Sequence, residues 1–390
     1  MENRKAFDPV LVLTVGVLLL AGIAFVFSSS YHAGEKNAGD AFFYLKRQLF
    51  ALFLGLLAFV AGFRLNFRKV LEHPNGERAL RWILIAAYVV LVLVYIPGLG
   101  RVVSGSRRWI DLRVFQIQVS EVAKLLLLIY LAGSLPRLGD QLRDFTRGFL
   151  RPMALTLGVV ALIAIEPDLS SALLTLSVAF FLFYLAGTPM HFLITVGMGG
   201  LMGVVILMQA KPYIASRLLF FNPWLDPWGK GYHLLQSFTA FRNGGLFGAG
   251  PGSSVQKIGR LPEAHTDFVF SVIGEELGLA GGLFIMALFI LFTWRGLRVA
   301  LRQSDARLLL LAAGATAYIS IQAVLHISVT LGLMPTSGLP LPFISYGRSD
   351  LITKLFLAGV LACLSRPAYA GEEPRPGAPS FHRPDSSHPG

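Results

Sequence analysis

The segment Leu261-Pro-Glu-Ala-His-Thr-Asp-Phe-Val-Phe-Ser-Val-Ile-Gly-Glu-Glu-Leu-Gly278 sets His265, Asp267, Glu275 and Glu276 at the mouth of an apolar run that ends near Trp294. Pro262 breaks the preceding chain, and the pattern predicts a helix that begins near Thr266 or Asp267. A carboxylate at that junction stands where water meets hydrocarbon. Ionisable groups in or beside a membrane segment are costly and mark a functional site by default, and a carboxylate so placed can take a proton from a substrate hydroxyl. The structural alternative is that Thr266 or Asp267 only caps the helix, a role both residue types fill well. On the predicted helix Asp267, Ser271, Gly274 and Gly278 share a small, polar face. Glu275 lies about 80° round from Asp267 and Glu276 points away.

Three other places bring charge to the same boundary. In Arg107-Arg-Trp-Ile-Asp-Leu-Arg113, paired arginines flank a tryptophan, which suits an anionic headgroup carrying an apolar chain; an amphipathic interfacial helix is the alternative. Glu121 and Lys124 are three apart and share a helix face, as a structural ion pair or as a pair lining a cavity. Glu166-Pro-Asp168 interrupts an apolar stretch, which is tolerated only where the break lines water or is buried in protein. No Walker motif, dinucleotide fingerprint or zincin helix occurs, which argues against ATP-driven or zinc-dependent chemistry. The single Cys363 allows neither an internal disulfide nor a Cys-based metal site.

The elements that must position these groups are membrane helices. The chain is 54% hydrophobic and 14% charged, against about 25% charged in soluble domains, and its mean hydropathy is +0.63. Its apolar residues fall in runs near the length that spans a bilayer. The expected fold is therefore an all-α integral membrane bundle of ten spans: Phe7–Phe27, Phe43–Phe63, Trp82–Gly98, Val122–Leu135, Met153–Ile165, Ser171–Ala186, His191–Met208, Phe268–Trp294, Arg307–Leu331 and Leu351–Leu364. Short loops rich in arginine, such as those holding Arg64 to Arg81, Arg137 to Arg151 and Arg295 to Arg307, all fall on one side, placing both termini in the cytoplasm. The opposite side nonetheless keeps Arg101, Arg107, Arg108, Arg113, Lys124, Lys211, Arg217, Lys230, Arg242, Lys257 and Arg260. Cations retained there suggest an anionic partner, or else pair with Asp111, Glu121, Asp226 and Glu263.

A large extracytoplasmic loop, residues 211–265, separates the seventh and eighth spans. Loops this long are uncommon unless functional or disordered, and its aromatic residues argue against disorder. Asn222 to Gly229 reads as turns with tryptophans at interfacial depth, and Gly244, Gly245, Gly248, Gly250 and Gly252 allow close approach to a ligand or a helix. Residues 1–366 form the expected membrane domain, and 367–390 a disordered cytoplasmic tail.

On Gly105 to Asp111, Asn222 to Gly229, Gln256-Lys257, Leu261 to Gly278 and Gly338-Leu-Pro-Leu-Pro-Phe-Ile-Ser-Tyr-Gly347, the chain resembles the SEDS family of polytopic peptidoglycan glycosyltransferases, over nearly its whole length. Pro262 to Asp267 followed by Ile273 to Glu276 is more similar to the division branch than to the elongation branch. The resemblance implies polymerisation of lipid II on the outer face of the bacterial cytoplasmic membrane, at the division septum, with a glycan on undecaprenyl pyrophosphate as donor. It implies Asp267 as catalytic base, and Glu121, Lys124, Arg107, Arg108, Trp109, Asp168, Lys257, His265 and Ser345 as substrate-binding residues. A class B penicillin-binding protein and other divisome proteins are the implied partners, packed against small residues of spans eight and nine (Gly274, Gly278, Gly281, Gly282; Gly314, Ala315, Ala317). No nucleic acid is expected. No dedicated metal site is marked, although a divalent cation (Mg or Mn) could bridge pyrophosphate and carboxylates. An elongation polymerase, a lipid II flippase and a non-catalytic scaffold are the rival readings. Val119, Arg113, His326, Arg348 and Asp350 depart from the family pattern, and the last two either pair with each other or alter acceptor binding.

Overall fold

A computed structural model describes residues 7–72, 76–96, 99–103, 106–111, 116–210, 223–229, 231–258, 261–367 and 369. Its helices are α1 (Pro9–Ala38), α2 (Phe43–Arg64), the short α3 (Phe67–Glu72), α4 (Gly76–Leu93), α5 (Val119–Leu138), α6 (Leu150–Ile165), α7 (Leu169–Leu185), α8 (Met190–Ala210), α9 (Tyr232–Gly244), α10 (Val269–Leu301), α11 (Ala306–Thr330) and α12 (Arg348–Leu364). Apart from α3 and α9, each falls on one of the apolar runs expected to span the membrane. Six of them (α1, α2, α5, α6, α10 and α11, with adjoining turns) are long and apolar enough to cross a bilayer, and α7 and α8 are shorter apolar helices.

The helical class holds with one departure. Arg107 to Asp111 is extended rather than an interfacial helix: strands β1 (Gly100–Val103), β2 (Ser106–Asp111) and β3 (Gln116–Gln118) form an antiparallel sheet in that order, with Trp109 opposite Gln118 and Asp111 opposite Gln116. The pairing of β2 with β3 ties the arginine segment to the start of α5, because β3 runs directly into Val119.

Close packing in the bundle relies on small residues, as is usual between membrane helices. On α2 and α12, a side chain at Gly62 would collide with the backbone of Phe356, and one at Gly359 with that of Phe59. The ends of the bundle are tied separately. At one end, Arg295 pairs with Asp8, the N-cap of α1, while Ser365 accepts from the Asp8 amide. Arg137 and Arg307 both donate to the Leu71 carbonyl at that same end.

The long connector between α8 and α10 is folded where it is described. α9 lies on α10, with Ser237 Oγ 2.6 Å from Ser271 Oγ and donating to the Thr330 carbonyl at 2.6 Å. Trp224 and Trp228 are exposed, the latter by 89%, as turns at interfacial depth require. Residues 211–222 and the tail 370–390 lie outside the described residues.

The glycine loop after α9 packs on a helix, where a Cβ at Gly244 or Gly248 would meet the backbone of residues 274–278. Residues 269–301 form a continuous run of 33, about 50 Å if straight, well beyond the ~30 Å of hydrocarbon. The run breaks at Gly278, whose φ of 68° and ψ of −165° are not helical. This corrects the expectation of one smooth helix. The freed backbone groups are satisfied by the loop: Ala249 and Gly250 amides donate to the Glu275 and Glu276 carbonyls (2.9 and 3.0 Å), and Gly245 and Leu246 carbonyls accept from Leu279 and Ala280 (2.9 and 3.1 Å). A broken membrane helix is tolerated when protein supplies such partners.

Gly278→Ala is expected to destabilise the protein, because this backbone conformation costs a non-glycine residue of order 1–3 kcal/mol and the new methyl would meet the Leu246 carbonyl and Gly248 amide. Gly282→Ala, whose methyl would meet only Phe270 at 3.5 Å, should be neutral. Thermal unfolding in detergent checks the pair.

Candidate active site

The charges at the centre of the site are held by α5 and α12. Glu121 pairs with Lys124 on α5, and it also accepts from Lys354 at 3.3 Å and Thr353 at 3.1 Å on α12. Lys354 in turn pairs with Asp350 at 2.9 Å. All four ionisable side chains are buried. Two acids and two bases cancel, which is the condition for keeping such a group away from water. Gln322 of α11 closes the set by donating to Asp350 and to the Pro340 carbonyl, each at 2.8 Å. Glu121 and Lys124 are thus partners, as their spacing suggested, within a larger cluster.

The same Gln322 contact reaches the loop that holds the Asp267 turn. Residues 338–347 fold against residues 265–267: Ser345 Oγ donates to the Thr266 carbonyl at 2.6 Å, and the Tyr346 amide donates to the His265 carbonyl at 2.8 Å. Gly338 faces the Asp267 carboxylate, 3.6 Å from where a Cβ would stand. Gln48 of α2 fastens the loop from the other side through the Ser345 carbonyl. The helix starts at Val269, later than expected, and its cap position is Phe268, without a side-chain cap bond. Thr266 bonds back to Glu263 instead. Asp267 therefore precedes the helix, half-buried, at the N-terminal end of α10. His265 is buried between Tyr44 (4.4 Å between ring centroids) and Tyr346 (5.6 Å). Burial pushes its pKa below the usual histidine value, against the opposing pull of Glu263, so the ring is neutral near pH 7.

A third arm comes from the sheet. Asp168 caps α7 through the Ser171 amide, accepts from Gln118 Nε2 at 3.1 Å and stands 3.7 Å from Arg108. The Gln118 amide donates to Ser349 Oγ at 3.0 Å, next to Asp350 in sequence. The arginine strand, the ionic cluster and the Asp267 turn thus form one connected polar network. Trp109 is partly buried on β2 beside Arg108. Arg107 also lies on β2, but its side chain is outside the described residues, as are Arg113, Lys211, Arg217, Lys230 and Arg260.

Lys257 is placed differently. Its ammonium is buried in bonds to Glu276 (2.7 Å), the Gly252 carbonyl (2.7 Å) and Ser28 (2.8 Å). Glu275 accepts from Asn243 at 2.9 Å, from Ser254, and from the Val255 and Gln256 amides at 3.3 and 3.2 Å. Both glutamates therefore anchor the outer loop to α10. Arg348 bonds Gln116 at 2.8 Å and Asp350 joins Lys354 at 2.9 Å, so both departures from the family pattern are tied into the bundle. His326 is buried with Nδ1 2.8 Å from the Leu339 carbonyl, another support for the same loop.

Lys354, Gln322 and Gln118 were not marked by motif. Lys354 could have been found by the rule that exposed Glu121, since it is a charge inside an apolar run; the two glutamines carry no comparable signal. Among the described residues no group of three or more His, Cys, Asp or Glu side chains could hold a metal ion.

Residues 9–370 match the family model of FtsW, RodA and SpoVE, described as cell cycle proteins. FtsW of Geobacter metallireducens, named a probable peptidoglycan glycosyltransferase, is 39% identical over 366 residues, covering 94% of this chain and 96% of its own. Stage V sporulation protein E of Bacillus subtilis is 37% identical over 368 residues, 94% and 99% of the two chains. Among solved structures, a chain of a peptidoglycan synthase complex that coordinates polymerization and crosslinking superposes with a TM-score of 0.73 at 30% identity, covering 93% of this chain and 98% of its own. Rod shape determining protein RodA of Thermus thermophilus gives 0.67 at 28% identity, covering 94% and 99%.

The charge balance predicts a rescue. Lys354→Met leaves an uncompensated buried carboxylate and should cost about 3–5 kcal/mol, whereas Lys354→Met with Asp350→Asn should recover most of it. Unfolding of both variants in detergent, beside Asp350→Asn alone, supplies the cycle.

Proposed function

Because the chain belongs to the SEDS family of FtsW, RodA and SpoVE cell cycle proteins, we propose that it polymerises lipid II into glycan strands at the outer face of the cytoplasmic membrane, for septal wall synthesis. The observation that carries this reading is the Asp267 carboxylate, held before α10 by the 338–347 loop and joined through Gln322 to the buried Glu121–Lys124 cluster. Asp267 takes the proton from the acceptor sugar 4-hydroxyl as that oxygen attacks the anomeric carbon of the donor glycan. The bond from that carbon to the pyrophosphate breaks, and undecaprenyl pyrophosphate leaves with the electron pair. Arg107 and Arg108 on β2 supply positive charge where negative charge develops, while Lys124 is held in the buried cluster behind the start of α5. His265 and Ser345 position the Asp267 turn, and Trp109 meets the lipid side of the headgroup. The donor is already activated, so no nucleotide takes part.

The protein is a multi-pass membrane protein. On the ten-span reading the start of α1 and the end of α12 lie on the cytoplasmic side, and the Asp267 turn, the sheet and the α8–α10 connector lie outside. Residues 1–366 are the membrane domain. A single-span class B penicillin-binding protein is the partner that would crosslink the product. The small residues expected to meet it are internal: Gly281 and Gly282 are buried, and Gly314 packs against Leu128 and Leu182. The outward face of α10 carries Leu279, Leu283 and Ile290 instead, and photocrosslinkers at Leu283 and Ile290 should capture the partner helix. Capture from α4 alone would exclude this face.

Liposomes carrying the purified chain and labelled lipid II decide between polymerase, flippase and scaffold, since only the first makes polymer. Asp267→Asn should lower the rate about 10²–10⁴-fold with folding intact. A near-normal rate would remove the general-base role.

A further inference from the structure

The connector between α6 and α7 holds one side chain that this reaction does not use. Glu166 is 1% exposed, and among the described residues neither of its carboxyl oxygens has a hydrogen-bond partner. A buried acid without a partner is costly in its ionised form, and such a group in a folded protein calls for an explanation. Its surroundings supply one. Two residues on, Asp168 is already committed to the Ser171 amide and to Gln118. Arg108 approaches Asp168 only to 3.7 Å, and its Nε is also buried without a partner among the described residues. An unpartnered acid and an incompletely bonded guanidinium thus stand about the same aspartate.

The charged or titratable groups acting on Glu166 are Asp168 on the connector, Arg108 on β2 and Tyr95 after α4. A resident cation fits poorly, because Arg108 already faces Asp168 and no third ligand converges among the described residues. An anion fits better, provided Glu166 carries no charge. Were it ionised, two carboxylates would share one guanidinium, and the local charge would turn negative.

We propose that Glu166 is a proton-dependent positioning residue for a pyrophosphate site at Arg108: neutral, it leaves Asp168 as the one carboxylate facing the guanidinium, and ionised, it adds a second negative charge that repels the anion. The ligand class is a lipid-linked pyrophosphate, so the inference rests on the polymerase reading and deepens it. Burial, reinforced by Asp168 and opposed by Arg108, pushes the Glu166 carboxyl up to about 8. The group is therefore mostly protonated at neutral pH and loses its proton as pH rises through that value. The doubly esterified pyrophosphate of lipid II has no group that titrates there, so an alkaline loss of affinity would belong to the protein.

The test uses the full chain in liposomes, with binding of fluorescent lipid II and polymer formation both measured at about pH 7 and pH 9. For the unaltered chain, affinity should fall roughly tenfold between these values, appearing as a rise in KM with little change in kcat. Glu166→Gln keeps the shape and the neutral state, so it should bind as well at pH 9 as at pH 7 and remain active. An alkaline loss in Glu166→Gln equal to that of the unaltered chain overturns the proposal, as does loss of binding by this variant at both pH values. Polymer formation with pH-independent binding would overturn the role of Glu166 and leave the polymerase reading standing. PH-dependent binding that Glu166→Gln abolishes, without polymer from the unaltered chain, would support the site and remove the polymerase reading.

Discussion

Four charges buried among apolar helices are stable only as a balanced set, and this protein is arranged around one. Glu121, Lys124, Asp350 and Lys354 satisfy one another across α5 and α12. Removing any single member would leave an unpaired ion in a low-dielectric interior, at a cost comparable to a large part of a typical protein's stability. The cluster thereby fixes how α12 sits against α5. Through Gln322 and Ser349 the constraint extends to the 338–347 loop and to the sheet.

That arrangement explains how the side chains at this end of the bundle are held in register although much of it is loop. The Asp267 turn is clamped by backbone and hydroxyl bonds from residues 345 and 346 rather than by a helix cap. On its other side, the break at Gly278 makes α10 dependent on the glycine loop for its hydrogen bonds, while Glu275 and Glu276 bind that loop in return. The turn that carries the Asp267 carboxylate is thus held from both the loop and the helix.

Nearby acids do different work because their environments differ. Asp168 accepts from two donors, Glu276 is neutralised by Lys257, and among the described residues Glu166 has neither a donor nor an ion-pair partner. Sequence spacing alone cannot distinguish these cases, since each is a carboxylate beside an apolar run. The partner that decides each one comes from a distant element: β3 for Asp168, the outer connector for Glu276, and no described donor for Glu166.

Hydrophobic run length, by itself, determined the helices and their order, because a helix that crosses lipid must satisfy its own backbone and shed charge. The same rule made Asp267, Glu121 and Lys124 stand out, since each is costly where it lies. Tertiary structure alone decided which charges cancel, that Arg107 to Asp111 is a strand, and that Gly244 to Gly250 serves a broken helix. Lys354 meets Glu121 across 233 positions of chain, and the Gly278 break is satisfied by a loop about thirty residues earlier. The physical reason is that burial costs are local and can be read along the chain, whereas the hydrogen bonds and opposite charges that offset them arise only when separate helices pack.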